Sequence, residues 1–433
     1  MATKRNKTGL VLVAVLWVVM LLMVIVAAVG RTSRLDTKVT VARMGEVRCS
    51  WACRAGIETA MAVLYEDERE SDCLLDLWSD NDEDFNNVML RQCEFSVRVV
   101  DELGKLNVNV ASRDQLMGLE YMEQDIADAI IDWRDSDDTV STEGVEGGYY
   151  ENLDFGYTIR NGPFRTIREL LLVRGVTEEL LYGEDTNLNG QLDYNERDGD
   201  ESPPADDGDD ELDEGWIAYL TCYSYDKNTD ATGSARVNIN DGNERQLRGS
   251  LGLSGPQAKW IVDNRPNNGY SSISDLISDN SPKQPQGSGG NQDEAQPIDL
   301  QTFNQIADQI TVSNEEKIPG RVNINTAPEE VLVALLGADG NAEQLAENII
   351  AYRAGLLYGM ESIAEVMSVE SVDIDTFKRI ASFITTRSSV YTIRCVATAD
   401  RQGASNATVT TEAVVDRTSS PYEILYWYQG ASN

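Results

Sequence analysis

Histidine is missing altogether from the 433 residues. Serine–histidine and cysteine–histidine catalysis are therefore excluded, and so are the commonest general base and zinc ligand. Positive charge is scarce. There are 36 Lys and Arg against 73 Asp and Glu, for a formal net charge of -37. A field of that sign repels phosphate backbones and attracts divalent cations. The six cysteines contain no CxxC pair, which argues against a zinc or redox motif. They can form disulfides if the bulk of the chain lies in an oxidising compartment. No phosphate loop or nucleophile elbow is present, and no carboxylate pair is flanked in the sequence by an apolar pocket signature that would raise one pKa. The chain reads as a non-enzyme. Its hydrophobic fraction of 41% is enough for packed cores, and its length allows two to four domains.

The N-terminus carries the first positive signal. Lys4, Arg5 and Lys7 precede an apolar run from Leu10 to Gly30. About 20 residues are enough to cross a hydrocarbon core. A plain signal anchor is one reading of this run. A cleaved secretory signal would have a shorter apolar core and a small-residue cleavage site. Small and apolar residues continue at helical spacing through about Tyr65, with Ala52, Ala55, Ile57, Ala60, Met61 and Leu64 on one stripe. This predicts one long helix whose second half packs on a soluble head.

A short basic leader that ends in Gly9, directly before the apolar run, resembles a type IV prepilin leader. That resemblance implies cleavage by a membrane prepilin peptidase after Gly9, with Leu10 as the first mature residue. Most pilins and pseudopilins carry glutamate at mature position five, where this chain has Ala14. In that family, the K-type minor pseudopilin is the member that lacks the acid. A buried carboxylate in a membrane is costly unless paired, and a subunit at the very tip has no subunit above it to pair with.

Three segments align without gaps: Lys105–Leu116, Arg236–Leu247 and Arg321–Leu332. Each has a basic residue, then aliphatic-Asn-aliphatic-Asn, then a leucine. Each is followed by a helix that ends in arginine ("ADAIIDWR", "AKWIVDNR", "AENIIAYR") and by "TIREL", "SISDL" or "SIAEV". Asn109, Asn240 and Asn325 are placed to cap the helix that follows them. The units resemble helix-hairpin-helix repeats, many of which bind DNA. Here the hairpins are poor in basic residues, so structural or protein-contact use is expected and no nucleic acid. A membrane-anchored, extracytoplasmic helix-hairpin-helix protein that binds DNA is the alternative.

"GKLNVN" at Gly104, "YLTCYS" at Tyr219 and "GRVNINTAP" at Gly320 are similar to segments of the K-type minor pseudopilins of type II secretion. The middle repeat, with its loop Ser278–Pro297, departs from that family's two units. The resemblance implies an α+β fold: a long transmembrane helix and a pilin-like antiparallel sheet, interrupted by a large, mainly helical insertion built of helix-hairpin-helix-like repeats. The expected divisions are a leader (1–9), a transmembrane segment (10–30) and a first pilin-like part (31–103). An insertion (104–380) and C-terminal strands (381–433), with a hairpin around Gly403, complete the chain. The insertion holds repeats over 104–182, 235–280 and 320–370 and an acidic loop region over 183–215. The implied role is at the tip of the pseudopilus, initiating assembly and contributing to export of folded proteins across the outer membrane. The implied partners are the I-type and J-type minor pseudopilins, the prepilin peptidase, the secretion system's inner-membrane platform, and the inner membrane itself through residues 10–30. The bulk of the chain would lie in the periplasm.

"DTNLNGQLDYNE", Asp185 to Glu196, has the layout of a calcium loop. Asp185, Asn187, Asn189, Asp193 and Glu196 stand at ligand positions, Gln191 offers its carbonyl, Gly190 permits the turn, and Leu192 is expected to point into the core. A solvated acidic loop is the alternative. A second, weaker calcium site is read in Asp135, Asp137, Asp138, Glu143 and Glu146, which follow Asp132 at a helix end; the K family has a similar stretch that binds calcium. Cys73 and Cys93 flank the stretch between the long helix and the first strand, and Cys222 and Cys395 lie in separate expected strands. These four are the disulfide candidates. Cys49 and Cys53 stand one helical turn apart, a spacing that does not favour a mutual bond.

Overall fold

The computed structural model describes residues 8–67, 70–188, 190, 192–199, 202, 204, 206, 208–277, 295–337, 340–399 and 407–432. The hairpin around Gly403 and most of the loop Ser278–Pro297 lie outside the described residues. A single helix, α1, runs from Thr8 to Glu66 over 59 residues. At 1.5 Å per residue it is roughly 90 Å long. Its N-terminal half is apolar and exposed, and its most apolar window has a mean hydropathy of 3.2 with none of it buried. Docking begins at Gly45. From there Cys49, Ala52, Cys53, Ile57, Ala60 and Leu64 recur at helical spacing and are buried. Ala55 and Met61 lie at the margin of that face. Gly56 is the point of closest approach. A Cβ there would stand 2.7 Å from Cys395 Sγ and 2.9 Å from Val97 Cγ2.

α1 packs on a five-stranded antiparallel sheet. In spatial order its strands are Val88–Leu90, Cys93–Asp101, Val390–Ala399, Ala407–Asp416 and Glu423–Ser432. The central strand Val390–Ala399 pairs on one side with Cys93–Asp101, from Tyr391 opposite Asp101 to Ala399 opposite Cys93. Burial alternates strictly along Cys93–Asp101, so its inward residues (Cys93, Phe95, Val97, Val99) face the helix. On the far edge, Trp427 stacks under Arg54 of α1 at 5.2 Å, and Gln429 donates to Ser50 at 2.6 Å.

Everything between Asp101 and Val390 leaves this sheet and returns to it. The insertion is built from three units of one design. Each opens with a two-residue strand, Leu106–Asn107, Val237–Asn238 or Val322–Asn323. Each closes with another that pairs parallel to the first: Leu220–Thr221, Ile310–Thr311 and Ile384–Thr385 respectively. The units therefore extend past the 182, 280 and 370 limits that the sequence pattern suggests, because the closing strand carries no repeat motif of its own.

The three asparagines expected to cap helices do something else. Asn109 accepts from Phe164 N and donates to Phe164 O; Asn240 does the same with Tyr270, and Asn325 with Met360. Each amide replaces a strand partner and holds the second half of its unit against the first. The caps come from Ser112 and Asn243, in capping boxes with Gln115 and Gln246. The third helix starts at Pro328 without a side-chain cap. An arginine at or just past the end of each second helix turns back under the opening segment. Arg134 donates to Val108 O and Ala111 O, Arg265 to Ile239 O and Gly242 O, and Arg353 to Ile324 O. Burial pushes Arg134 and Arg353 down to about 10. These cations satisfy carbonyls inside their own repeat. The first and third units touch directly, since a Cβ on Gly118 would stand 2.6 Å from Ala334 Cα.

A polar junction joins insertion to sheet. Buried Asp101 accepts from Ser388 Oγ at 2.6 Å, Thr326 Oγ1 at 2.6 Å and Asn323 Nδ2 at 3.1 Å. Burial raises its carboxyl to about 6. Next to it, Glu102 bridges Lys105 at 3.1 Å, with both side chains buried.

Asn325→Ala should destabilise the soluble head by about 2–4 kcal/mol, because it leaves the buried N–H and C=O of Met360 without partners. Chemical denaturation of the two proteins measures this; a change below about 1 kcal/mol would mean that water replaces the amide.

Candidate metal centres

The acidic stretch after the first repeat's second helix forms the more enclosed site. Helix Gln124–Arg134 carries Asp128 and Asp132 one turn apart, both fully buried. The chain then loops out and returns at Glu146, just before the short helix Gly147–Glu151. Carboxylate oxygens of Asp132, Asp135 and Glu146 all lie within 4.8 Å of one another. Asp132 accepts from Ser141 N with both oxygens at 3.1 Å. Gly144 leaves no room for a side chain, as its Cβ would fall 2.0 Å from Asp132 Oδ2. Asp128 pairs separately with Arg113 and accepts from Glu143 N.

Glu146 is the anomaly. It occupies a helix N-cap position but caps nothing, and both of its carboxylate oxygens are buried without a hydrogen-bond partner. Burial, followed by the charges of Asp132 and Asp135, pushes it up to about 7. A carboxylate of this kind is costly in isolation and fits a hard cation held by oxygen ligands. The structure brings together part of the acidic stretch read in the sequence. Asp135 and Glu146 are in the cluster, and Asp132 joins them. Asp137 instead accepts from Thr139 N at 2.7 Å, and Asp138 from Asn161 Nδ2 at 3.0 Å. Glu143 offers its backbone, its N–H to Asp128 and its carbonyl to Arg174. Asp132 lies inside the helix and three residues before Asp135, so both can face the returning loop.

The second site is the loop Asp185–Glu196, which starts three residues after the helix Glu178–Tyr182. Asp185 and Glu196 are each only 1% exposed, unusual for carboxylates in a loop. Asp185 Oδ2 accepts from Gly190 N at 2.9 Å, and Gly190 has a φ of +65°. Asn187 Nδ2 donates to Asp193 Oδ2 at 2.9 Å and reaches Glu196 Oε1 at 3.4 Å. Asp193 N donates to Glu196 Oε2 at 2.8 Å. Loop positions three, nine and twelve thus meet, and position one holds the turn through Gly190 N. Burial raises the Glu196 carboxyl, with Asp193, Asp185 and Glu184 adding to the effect. Asn189 and Gln191 lie outside the described residues. The apolar anchor is Leu188, buried in the insertion's core with a φ of 56°, whereas Leu192 is half-buried. Gly190 backs onto the sheet, where Arg98 Nη1 would stand 2.5 Å from a Cβ and where Arg98 also pairs with Glu214.

A third acidic group, Asp67, Asp72 and Asp76, has a cation of the chain beside two of its members. Arg417 pairs with Asp67 at 2.8 Å and with Asp72, and Tyr391 Oη donates to Asp72 at 2.8 Å.

The cysteines have neighbours other than those the sequence suggested. Cys73 Sγ contacts Asp76 Oδ1 at 3.4 Å, and Cys222 packs on the insertion's core. Cys93 and Cys395 are in the sheet's core and face α1.

Residues 104–182 match the family described as "Type II secretion system (T2SS), protein K". No curated protein matches the chain. Among solved structures, the chain is similar to one in the crystal structure of the GspK-GspI-GspJ complex from the enterotoxigenic Escherichia coli type 2 secretion system. The identity is 13% and the TM-score 0.48, over 91% of this chain and 99% of that one.

In chelator, Glu146→Gln should raise the melting temperature of the soluble head by about 2–4 °C, since it removes a buried charge beside Asp132 and Asp135. A fall would show that the carboxylate is already satisfied.

Proposed function

We infer that the chain is a K-type minor pseudopilin of type II secretion. The single observation that carries this is the family match over residues 104–182, which falls on the first unit of a helical insertion. That insertion stands between neighbouring strands of a sheet on which a long, apolar-headed helix is docked. The exposed apolar half of α1 supports a single-pass anchor in the inner membrane with the head in the periplasm.

The role is structural. α1 is the element through which the subunit stacks with the I-type and J-type minor pseudopilins. The three-unit insertion widens the head on one side of the sheet. A subunit of this shape initiates or ends a pseudopilus and does not elongate it, and the pseudopilus pushes folded proteins through the outer-membrane channel. The prepilin peptidase cuts after Gly9, and the inner-membrane platform then takes up the mature chain.

Calcium is the implied cofactor. Asp132, Asp135 and Glu146 would hold one ion, and Asp185, Asn187, Asp193 and Glu196 a second, with Asn189 and Gln191 completing the loop's ligand pattern. The ion would neutralise carboxylates that now crowd one another and tie two acidic loops to the first repeat. Saturation at 100 times Kd is worth about 2.7 kcal/mol for one site.

N-terminal sequencing of the membrane-extracted protein should begin at Leu10, and a chain that starts at Met1 in the presence of active peptidase overturns the pseudopilin reading. Calcium should raise the melting temperature of the head over that in chelator. Glu146→Gln and Glu196→Gln should each remove part of the gain; coincident melts with and without calcium would dismiss the ion.

A further inference from the structure

Four of the six cysteines lie where α1 meets the sheet, and all four are buried. Cys49 and Cys53 are on the docked face of the helix, one turn apart. Cys93 begins the strand Cys93–Asp101, and Cys395 stands in the middle of the central strand. Their side chains meet two by two. The Cys49 thiol is in contact with the Cys93 thiol and donates to Ala407 O at 3.2 Å. Ala407 pairs with Ala399, which pairs with Cys93 on its other side, so strand register alone places Cys49 over Cys93. The Cys53 thiol is in contact with the Cys395 thiol and lies 3.3 Å from Cys395 O and 3.2 Å from Val409 O. Gly56, one turn further on the same helix face, opens the space into which Cys395 Sγ projects.

We propose that Cys49–Cys93 and Cys53–Cys395 are two disulfides that bolt the long helix to two adjacent strands of the sheet. The proposal rests on the periplasmic placement above, because an oxidising compartment is where such bonds form and persist. For each bond, two thiols lose two protons and two electrons and one S–S bond forms. The electrons reduce the disulfide of an exchange oxidant to its thiols. All four sulfurs are inaccessible in the folded head, so the bonds close as the helix docks.

A shared thiolate metal site does not fit. Among the described residues, the groups of three or more potential ligands within coordinating distance are the two acidic ones described above. Two separate pairs one helical turn apart suit a mechanical purpose instead. α1 is free of the head up to about residue 44 and docked beyond it. Any pull on the free half is felt first at Cys49 and Cys53, the leading edge of the docked face. Noncovalent helix–sheet contacts peel from such an edge one after another, whereas two covalent ties share the load.

The test uses the full chain in detergent, reduced and unfolded, then refolded in a buffer of oxidised and reduced glutathione, alkylated without reductant and mapped by mass spectrometry. The expected result is two linked peptide pairs, Cys49 with Cys93 and Cys53 with Cys395, and free Cys73 and Cys222. Cys53→Ser should free Cys395 and leave the Cys49–Cys93 pair intact. Reductant should lower the melting temperature of the refolded wild-type chain by at least about 5 °C and that of the double variant Cys49→Ser/Cys53→Ser hardly at all. The same map of the chain as extracted from membranes keeps the test independent of refolding. Free thiols at all four positions in both preparations, or other pairings among them, overturn the proposal. The refolding arm does not depend on where the cell places the head. Its failure therefore leaves the pseudopilin reading standing, and N-terminal sequencing decides that reading separately.

Discussion

The pairing of Cys93–Asp101 with Val390–Ala399 is the constraint on which the rest of the structure depends. The two strands are far apart in sequence and adjacent in the sheet. Every residue between them must start and finish at neighbouring points. Closure of so long a loop is entropically costly unless the loop folds on its own and brings its ends together. The insertion does this by repetition. Each of its three units returns to its origin through a parallel two-residue pairing, so it contributes almost no net displacement. The buried network around Asp101, Asn323, Thr326 and Ser388 then fixes the exit and the re-entry to each other.

Within a unit, the design substitutes side-chain amides and guanidinium groups for ordinary secondary structure. The strands are only two residues long and cannot hold a unit closed by themselves. A conserved-in-kind asparagine within this chain (Asn109, Asn240, Asn325) supplies one donor and one acceptor to a backbone on the far side. An arginine (Arg134, Arg265, Arg353) satisfies carbonyls at the start. The cost of burying these polar groups is offset by the hydrogen bonds each makes to backbone across its unit. The same engagement turns the repeats' arginines inward, away from any external anion.

The acidic excess follows a different logic. Where a carboxylate can meet a cation of the chain, it does, as at Arg417 with Asp67 and Asp72. With 36 basic residues against 73 acidic ones, the chain runs out of such partners. Asp132, Asp135 and Glu146 stay crowded together, and the loop Asp185–Glu196 buries two further carboxylates, Asp185 and Glu196. Both groups are attached to the first unit, and the loop also abuts Arg98 on the sheet.

The sequence by itself determined the long helix, the three-fold repeat and the acidic loop. Each is written in local periodicity or spacing, with helical recurrence from Ala52 to Leu64, three gapless aligned segments, and alternate oxygens from Asp185. It did not determine what the repeat asparagines bind, where each unit ends, which carboxylates converge or which cysteines face each other. The pattern N-x-N before a helix has the look of a cap, yet Asn325 reaches Met360, 35 residues away. Asp132 stands in a regular helix and shows no ligand spacing with Glu146 until the loop folds back. Cys93 and Cys395 belong to strands whose neighbours are set by sheet order, and that order placed them under Cys49 and Cys53. These choices were left to tertiary structure, because side-chain partners across a core depend on register and crossing geometry, which local sequence does not encode.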